Sequence, residues 1–471
     1  MSLRRFSISC VAAALSACVA LPPSTPPATQ LNANQLHLDA PEVSVFNPDW
    51  WTRFNDAQLN QLMVGALDHN PSLIDAMARL THARAAVSAV STTLRPTVDA
   101  NASLSRDRFS ESYIYPPPFG GTSWWNGQVN LGAYWDPDFW GRQRQLIGAA
   151  AHGANARSFD LWGARSALES TLLSAYFELD QQYQLLELTK AYEDDRLQMA
   201  SLIQRRVAAG LDSEVDQKAA NVLLPDARTA RSHAVAEVEL REHHIRSLIG
   251  APQDEVIARP SINYGDVLVL PTVVPGDLLL RRADVQAALE RVSAATSQET
   301  AAQLAFYPTL NLTGFIGFSA LTLPDLLSAP SRQYGVGPGL SLPIFDAGRL
   351  HAQLIGARAD VDAAIAQYNA TVLRAVQEVA DQLTRLRALE SEQRDQDDKL
   401  AQLMSARSLA ERRAAGGLTS QLPVLEADMR ALMARIQWIH IRALRAEARI
   451  ALVIAIGTGN SPPSSLEKAQ P

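Results

Sequence analysis

Few side chains in this sequence could do chemistry, and they are scattered. Nine histidines are spread over 471 residues. His243 and His244 are adjacent, so on a helix they point to different faces, and no HExxH zinc pattern occurs. The acidic pairs Asp194-Asp195 and Asp397-Asp398 read as solvated helix surface rather than metal ligands. The glycine run GVGPG at 335–339 lacks the following helix that a dinucleotide site needs. The cysteines, Cys10 and Cys18, both fall in the first twenty residues, which leaves no disulfide framework and no cysteine metal site. The net charge is −7 with no basic stripe, so a nucleic-acid partner is not expected. No catalytic constellation emerges, and the sequence reads as a non-enzyme without metal or diffusible cofactor.

One residue does invite covalent chemistry. Arg4 and Arg5 precede a short apolar run, FSISCVAAAL, too short to cross a bilayer as a helix. Residues 1–17 have the layout of a secretory signal. The run ends in LSAC at 15–18, which resembles a bacterial lipobox. There Cys18 would be lipidated and become the first mature residue, with that lipid the only attached group expected. An ordinary signal peptide with an incidental Cys18 is the alternative. Val19 rather than Asp follows, which by the same resemblance favours the outer membrane. The proline-rich stretch LPPSTPPATQ then suits a semi-rigid tether.

A pattern of another kind dominates the rest. RRVAAGLDSEV at 205–215 returns as RRAAGGLTSQL at 412–422. Arg206, Gly210 and Leu211 match Arg413, Gly417 and Leu418, all 207 residues apart. Gly141-Arg142 matches Gly348-Arg349, and Ile249-Gly250 matches Ile456-Gly457, at the same spacing. Upstream, RPTV at 95–98 matches YPTL at 307–310 with a shift of 212. The shift changes only between Pro96 and Gly141, where a variable loop should lie. Two copies of one structural unit follow.

Each copy reads helix, β-hairpin, long helix, tip, helix. The first repeat spans 56–250 and the second 276–457, joined by a connector at 251–275 and followed by a tail at 458–471. The opening helices run from about Asp56 to Thr93 and from about Pro275 to Ala305, and Pro96 and Pro308 end them. After each proline the period becomes two. Strands are expected at about 96–109, 124–136, 308–319 and 334–345. Val98, Ala100, Ala102 and Leu104 alternate with Asp99, Asn101, Ser103 and Ser105. Leu310, Leu312, Ile316 and Phe318 alternate with Asn311, Thr313 and Ser319. Each run is roughly ten residues, the length a tilted strand needs to cross a bilayer. Tyr113, Tyr115, Trp124 and Trp125 mark one end of the first hairpin, and Trp135, Phe139 and Trp140 the other, as in the girdles of membrane barrels. A soluble sheet with one buried face shares the alternation. Pro338 is awkward within a strand and suggests a bulge or an unpaired position.

The long helices carry the other signal. Gly348 to Arg413 holds no proline over 66 residues, roughly 100 Å of helix. Apolar residues recur at threes and fours: Leu350, Leu354, Ala357, Val361, Ile365, Tyr368, Val372, Val376, Val379, Leu383, Leu386. A matching helix runs from about Gly141 to Ala209. The tips, at about 206–213 and 413–420, turn on their glycines.

Four strands cannot close a barrel, yet a sheet in lipid must close because every backbone donor and acceptor has to be paired. Several chains must therefore share one barrel. Two would give eight strands and a filled lumen; three would give twelve and room for water.

The pattern resembles the outer-membrane efflux factor family, of TolC, OprM and NodT type. The matching segments are LSAC (15–18), WWTRFNDAQLNQL (50–62), ALDHNPSLIDAMARLTHARA (66–85), WDPDFWGR (135–142), RRADVQAALE (281–290), YPTLNLTG (307–314), LSLPIFDAGR (340–349) and the two RxxxGL tips. The resemblance implies a homotrimer with a twelve-stranded membrane β-barrel and a long periplasmic α-helical barrel, four strands coming from each protomer. Residues 18–55, 251–275 and the chain end would form a belt around the helices. It implies a passive exit duct in the outer membrane for small toxic compounds. A periplasmic adaptor and an inner-membrane transporter of resistance–nodulation–division (RND) type would be its partners. Arg206, Gly210, Leu211, Arg413, Gly417 and Leu418 would dock the adaptor. Leu422 and Glu426 would form the periplasmic gate, Glu426 standing where the family commonly has Asp, with Gln421, Asp428 and Arg430 nearby. A type I-like protein-secretion duct and a lipid-tethered periplasmic coiled-coil scaffold are the competing readings.

Overall fold

The computed structural model describes residues 28–31, 49–112, 114, 116–262, 264 and 281–457. Cys18, Tyr113, Tyr115, most of the proposed tether, about half of the connector and the whole tail lie outside the described residues. The element order is α1 (Ala57–His69), α2 (Pro71–Ser91), β1 (Thr97–Arg108), β2 (Ser123–Trp135), α3 (Arg142–Ala208), α4 (Glu214–Ile249), α5 (Ala283–Leu304), β3 (Thr309–Ala320), β4 (Arg332–Ser341), α6 (Arg349–Ala415) and α7 (Leu422–Ala455). The chain divides into two compact units, and the division falls inside α2, α3, α5 and α6.

The first unit, chiefly 79–157 and 287–368, carries one antiparallel sheet in the order β1-β2-β3-β4. The registers Ala100↔Leu131, Leu131↔Ile316 and Ile316↔Tyr334 run one apolar row across all four strands. That row is wet within a single protomer: Tyr334 is 83% exposed and Val336 80%. Asn101, Asn130 and Gly317 form a row of the opposite parity. Phe315 shares that polar parity, against the simple alternation. It packs over Gly335, where a Cβ would sit 2.7 Å from its Cε1. Pro338 stays in register opposite Leu312, and the ladder continues past it to Ser341. β4 stops at Ser341 rather than 345, because Pro343 has no N–H to continue the ladder.

Indole groups fasten the helix–strand junctions of this unit. Trp135 Nε1 donates to Leu94 O at 3.0 Å and Trp140 Nε1 to Pro308 O at 2.7 Å. Arg95 is extended before Pro96, as the proline ring demands of the residue preceding it.

The second unit, 31–78, 158–286 and 369–471, is helical among its described residues. The single opening helix expected over Asp56–Thr93 is in fact two. Pro71 forces Asn70 into an extended conformation (ψ 122°), and Asn70 accepts from Ser72 N at the start of the second half while its Nδ2 donates to Leu248 O of α4. Asp56 caps α1 through Leu59 N and also accepts from Tyr176 Oη at 2.9 Å. Trp50, Trp51 and Phe54 are buried, with Phe54 edge-on to Phe177 at 5.2 Å. In α7, Ala427, Ala434, Ile441, Ala448 and Ala455 are all buried at a strict seven-residue spacing; in α4, Ala220, Ala227 and Ala234 repeat it. Small residues at a heptad seam allow close side-by-side packing. Along α6 the buried stripe runs through Ala375, with Val376 only half-buried.

Candidate functional site

Both tips are built by the same backbone chemistry. Gly210 and Gly417 adopt φ of 73° and 70°, the left-handed region that costs glycine nothing sterically. Leu211 N donates to Arg206 O at 2.8 Å and Gly210 N to Val207 O at 2.9 Å. The second tip repeats this: Leu418 N to Arg413 O at 2.9 Å, Gly417 N to Ala414 O at 3.0 Å. This nested pair of bonds is a Schellman cap, which satisfies the last helical carbonyls. The helix end explains why Arg, Gly and Leu recur at one spacing. Leu211 and Leu418 are left 67% and 75% exposed, apolar groups presented with no cover in the protomer.

The two tips differ in charge. Arg206 is gripped by Asp212 through Nε–Oδ2 at 2.7 Å and Nη2–Oδ1 at 2.8 Å. Those bonds hold the Asp212 carboxyl below the ordinary aspartate value. Thr419 stands at the equivalent place in the second copy, and among the described residues Arg413 has no ion-pair partner. The first tip continues into a capping box, in which Asp216 N donates to Ser213 Oγ and Ser213 N to Asp216 Oδ2. At the second tip Pro423 replaces Asp216, and Gln421 makes no side-chain cap.

Leu422 and Glu426, four residues apart, share one side of the first turns of α7 but differ in burial. Leu422 is half-buried against a cluster of Met199, Ile203, Ala220 and Leu425. Glu426 is exposed and lines a cleft of 680 Å³ with Arg430, Lys399 and Tyr192. Of the neighbouring residues, Asp428 pairs with Arg407 of α6 at 3.2 Å, while Arg430 is exposed.

Asp195 overturns its sequence reading. It is 8% exposed rather than solvated, and its Oδ2 has no hydrogen-bond partner. Burial pushes its carboxyl up to about 6, with Asp428 adding to the shift and Arg407 opposing it. No local pattern distinguishes Asp195 from exposed Asp194; only the helices packed around α3 do. Among the described residues no group of three or more His, Cys, Asp or Glu could hold a metal, and no helix is long and apolar enough to cross a membrane.

The outer membrane efflux protein family model matches residues 62–251 and 274–458, most of the chain. The chain belongs to the outer membrane efflux protein family. It is similar to the multidrug resistance outer membrane protein MdtP of Escherichia coli O157:H7, 28% identical over 472 residues and 96% of each chain. It is similar to the putative multidrug resistance outer membrane protein MdtQ of Shigella flexneri, 30% identical over 87% of each. Its structure superposes on the outer membrane protein VceC of Vibrio cholerae with a TM-score of 0.80 and 31% identity, covering 88% of this chain and 100% of that one. The fold is therefore that of an outer-membrane channel, with a β-barrel and a helical barrel. Channels of this family are trimers that work with adaptors and inner-membrane pumps. This protein is an outer-membrane efflux channel and not an enzyme.

Proposed function

We propose that this efflux channel passes small toxic compounds or drugs delivered by an RND-type transporter, that its hairpin tips dock the adaptor, and that Leu422 and Glu426 narrow its periplasmic end. The observation that carries the docking role is the pair of Schellman tips, each presenting an exposed leucine beside an arginine. A capped turn presents its side chains rigidly, which lowers the ordering cost of recognition. The names of MdtP and MdtQ, multidrug resistance proteins, support drugs as cargo over protein secretion. For the constriction, three copies of Glu426 around an axis would repel one another and favour cations.

Cys18 is the proposed lipid anchor. Ala28 N donates to Asp362 Oδ1 at 2.9 Å, within the unit that carries the sheet. Ten residues separate Cys18 from Ala28, a reach of at most roughly 33 Å.

The test is drug susceptibility in an efflux-deficient Gram-negative host supplied with the cognate pump genes. Joint replacement of Arg413 and Leu418 by Ala should abolish the resistance that the wild type confers while leaving the trimer in the outer membrane. Full resistance in that variant contradicts the docking role.

A further inference from the structure

Beneath the tips, three helices meet at a cluster of charges that neither the pore nor the docking surface uses. Arg407 of α6 holds Asp428 of α7 through Nη1 at 3.2 Å and Glu411 of its own helix through Nε at 3.1 Å. Asp195 of α3 shares this field but takes none of the bonds, and its Oδ2 is buried and unpartnered. One turn further along α3, Met199 packs in the cluster that joins Leu425 of α7 and Ala220 of α4, with Leu422 and Met429 against it. The seat of α7 on α3 thus has an apolar half and an acidic half.

We propose that Asp195 is a proton-operated latch: protonated, it lets the start of α7 seat on α3, and ionised, it loosens that seat. A buried carboxylate without a donor is costly, and a second carboxylate nearby adds repulsion. The only cation of α6 in the cluster, Arg407, is already divided between Asp428 and Glu411. On α3 itself Asp194 adds repulsion and Arg196 relieves a little. From α4, Arg228 and Arg231 are taken up by Glu193 at 3.4 and 3.0 Å. No facing group is therefore free to neutralise Asp195, and a proton is the remaining counter-charge.

The sign follows from linkage. The packed state binds the proton more tightly than the loosened one, about 6 against the ordinary 3.8. Packing is fully favoured below the lower value and loses that support as the pH rises through the upper one. Leu422 and Glu426 lie six and two residues before Asp428 on the same helix. The consequence for pore opening rests on reading those two residues as the constriction.

Hydrogen exchange tests the latch directly. Full-length protein in detergent would be followed between pH 4.5 and 7.5, corrected for intrinsic rates, over residues 422–432. The wild type should lose protection as the pH rises from 4.5 towards about 6, by up to about tenfold per pH unit for one linked proton, and level off above it. Asp195→Asn, a neutral isostere, should keep high protection throughout, and Asp194→Asn should keep the pH response, shifted slightly to lower pH. A flat wild-type profile overturns the proposal, and so does a pH response that persists in Asp195→Asn. If Asp195→Asn fails to assemble, the wild-type profile still decides. Bilayer conductance on the same samples separates the two readings. Protection that follows pH while conductance does not would leave the latch standing and remove the constriction.

Discussion

At the residue scale, glycines with different surroundings make different demands. A Cβ at Gly417 would meet nothing within 4 Å, so Gly417→Ala costs only the left-handed backbone, about 1–2 kcal/mol. The expected result is local: faster exchange at the second tip and an unchanged trimer. A Cβ at Gly317 would collide with Val129 O and the Asn130 side chain, and sheet backbone cannot yield. Gly317→Ala should therefore impair barrel assembly, read as loss of heat-resistant oligomer on semi-native gels. Assembly of both variants to the same yield would contradict this account. Ser213 belongs to the same scale. Its capping box leads to an expected loss of about 1 kcal/mol in Ser213→Ala, visible as fraying at Glu214–Gln217.

At the element scale, the sheet tells its two faces apart. Ile316 is 61% exposed in the protomer on the apolar row, while Asn101 has the opposite parity. Ile316→Arg should cost about 2–4 kcal/mol near the bilayer midplane, and Asn101→Arg should be tolerated. Refolding titrations into lipid vesicles would measure both. Equal cost at the two sites would place the sheet outside lipid.

How much was legible in the sequence also depended on the element. The tips were legible because Schellman caps use local backbone bonds that need Gly at one position. The 67-residue helices α3 and α6 were legible because proline is absent from α6 and apolar residues recur along it. The break at Asn70-Pro71 is hidden by an apolar pattern that continues past it, although the proline announces it. Phe315 breaks the strand alternation, and its packing on Gly335 accounts for its place on the polar parity. Asp195 is buried in the field of Arg407 and Asp428, more than two hundred residues on in sequence, and that pair itself bridges the two helices of the second tip. Nothing local encodes them.

At the scale of the whole molecule, the decisive feature is that β1 and β4 end the sheet. Each leaves a row of backbone donors and acceptors without a partner in the protomer, which hydrocarbon does not permit. The trimer of this family answers that demand by supplying twelve strands. Native mass spectrometry of protein extracted from the outer membrane, with hydrogen exchange on β1 and β4, tests this most directly. The account predicts three copies, with both edge strands as protected as β2 and β3. A stable single chain whose edge strands exchange freely would contradict it.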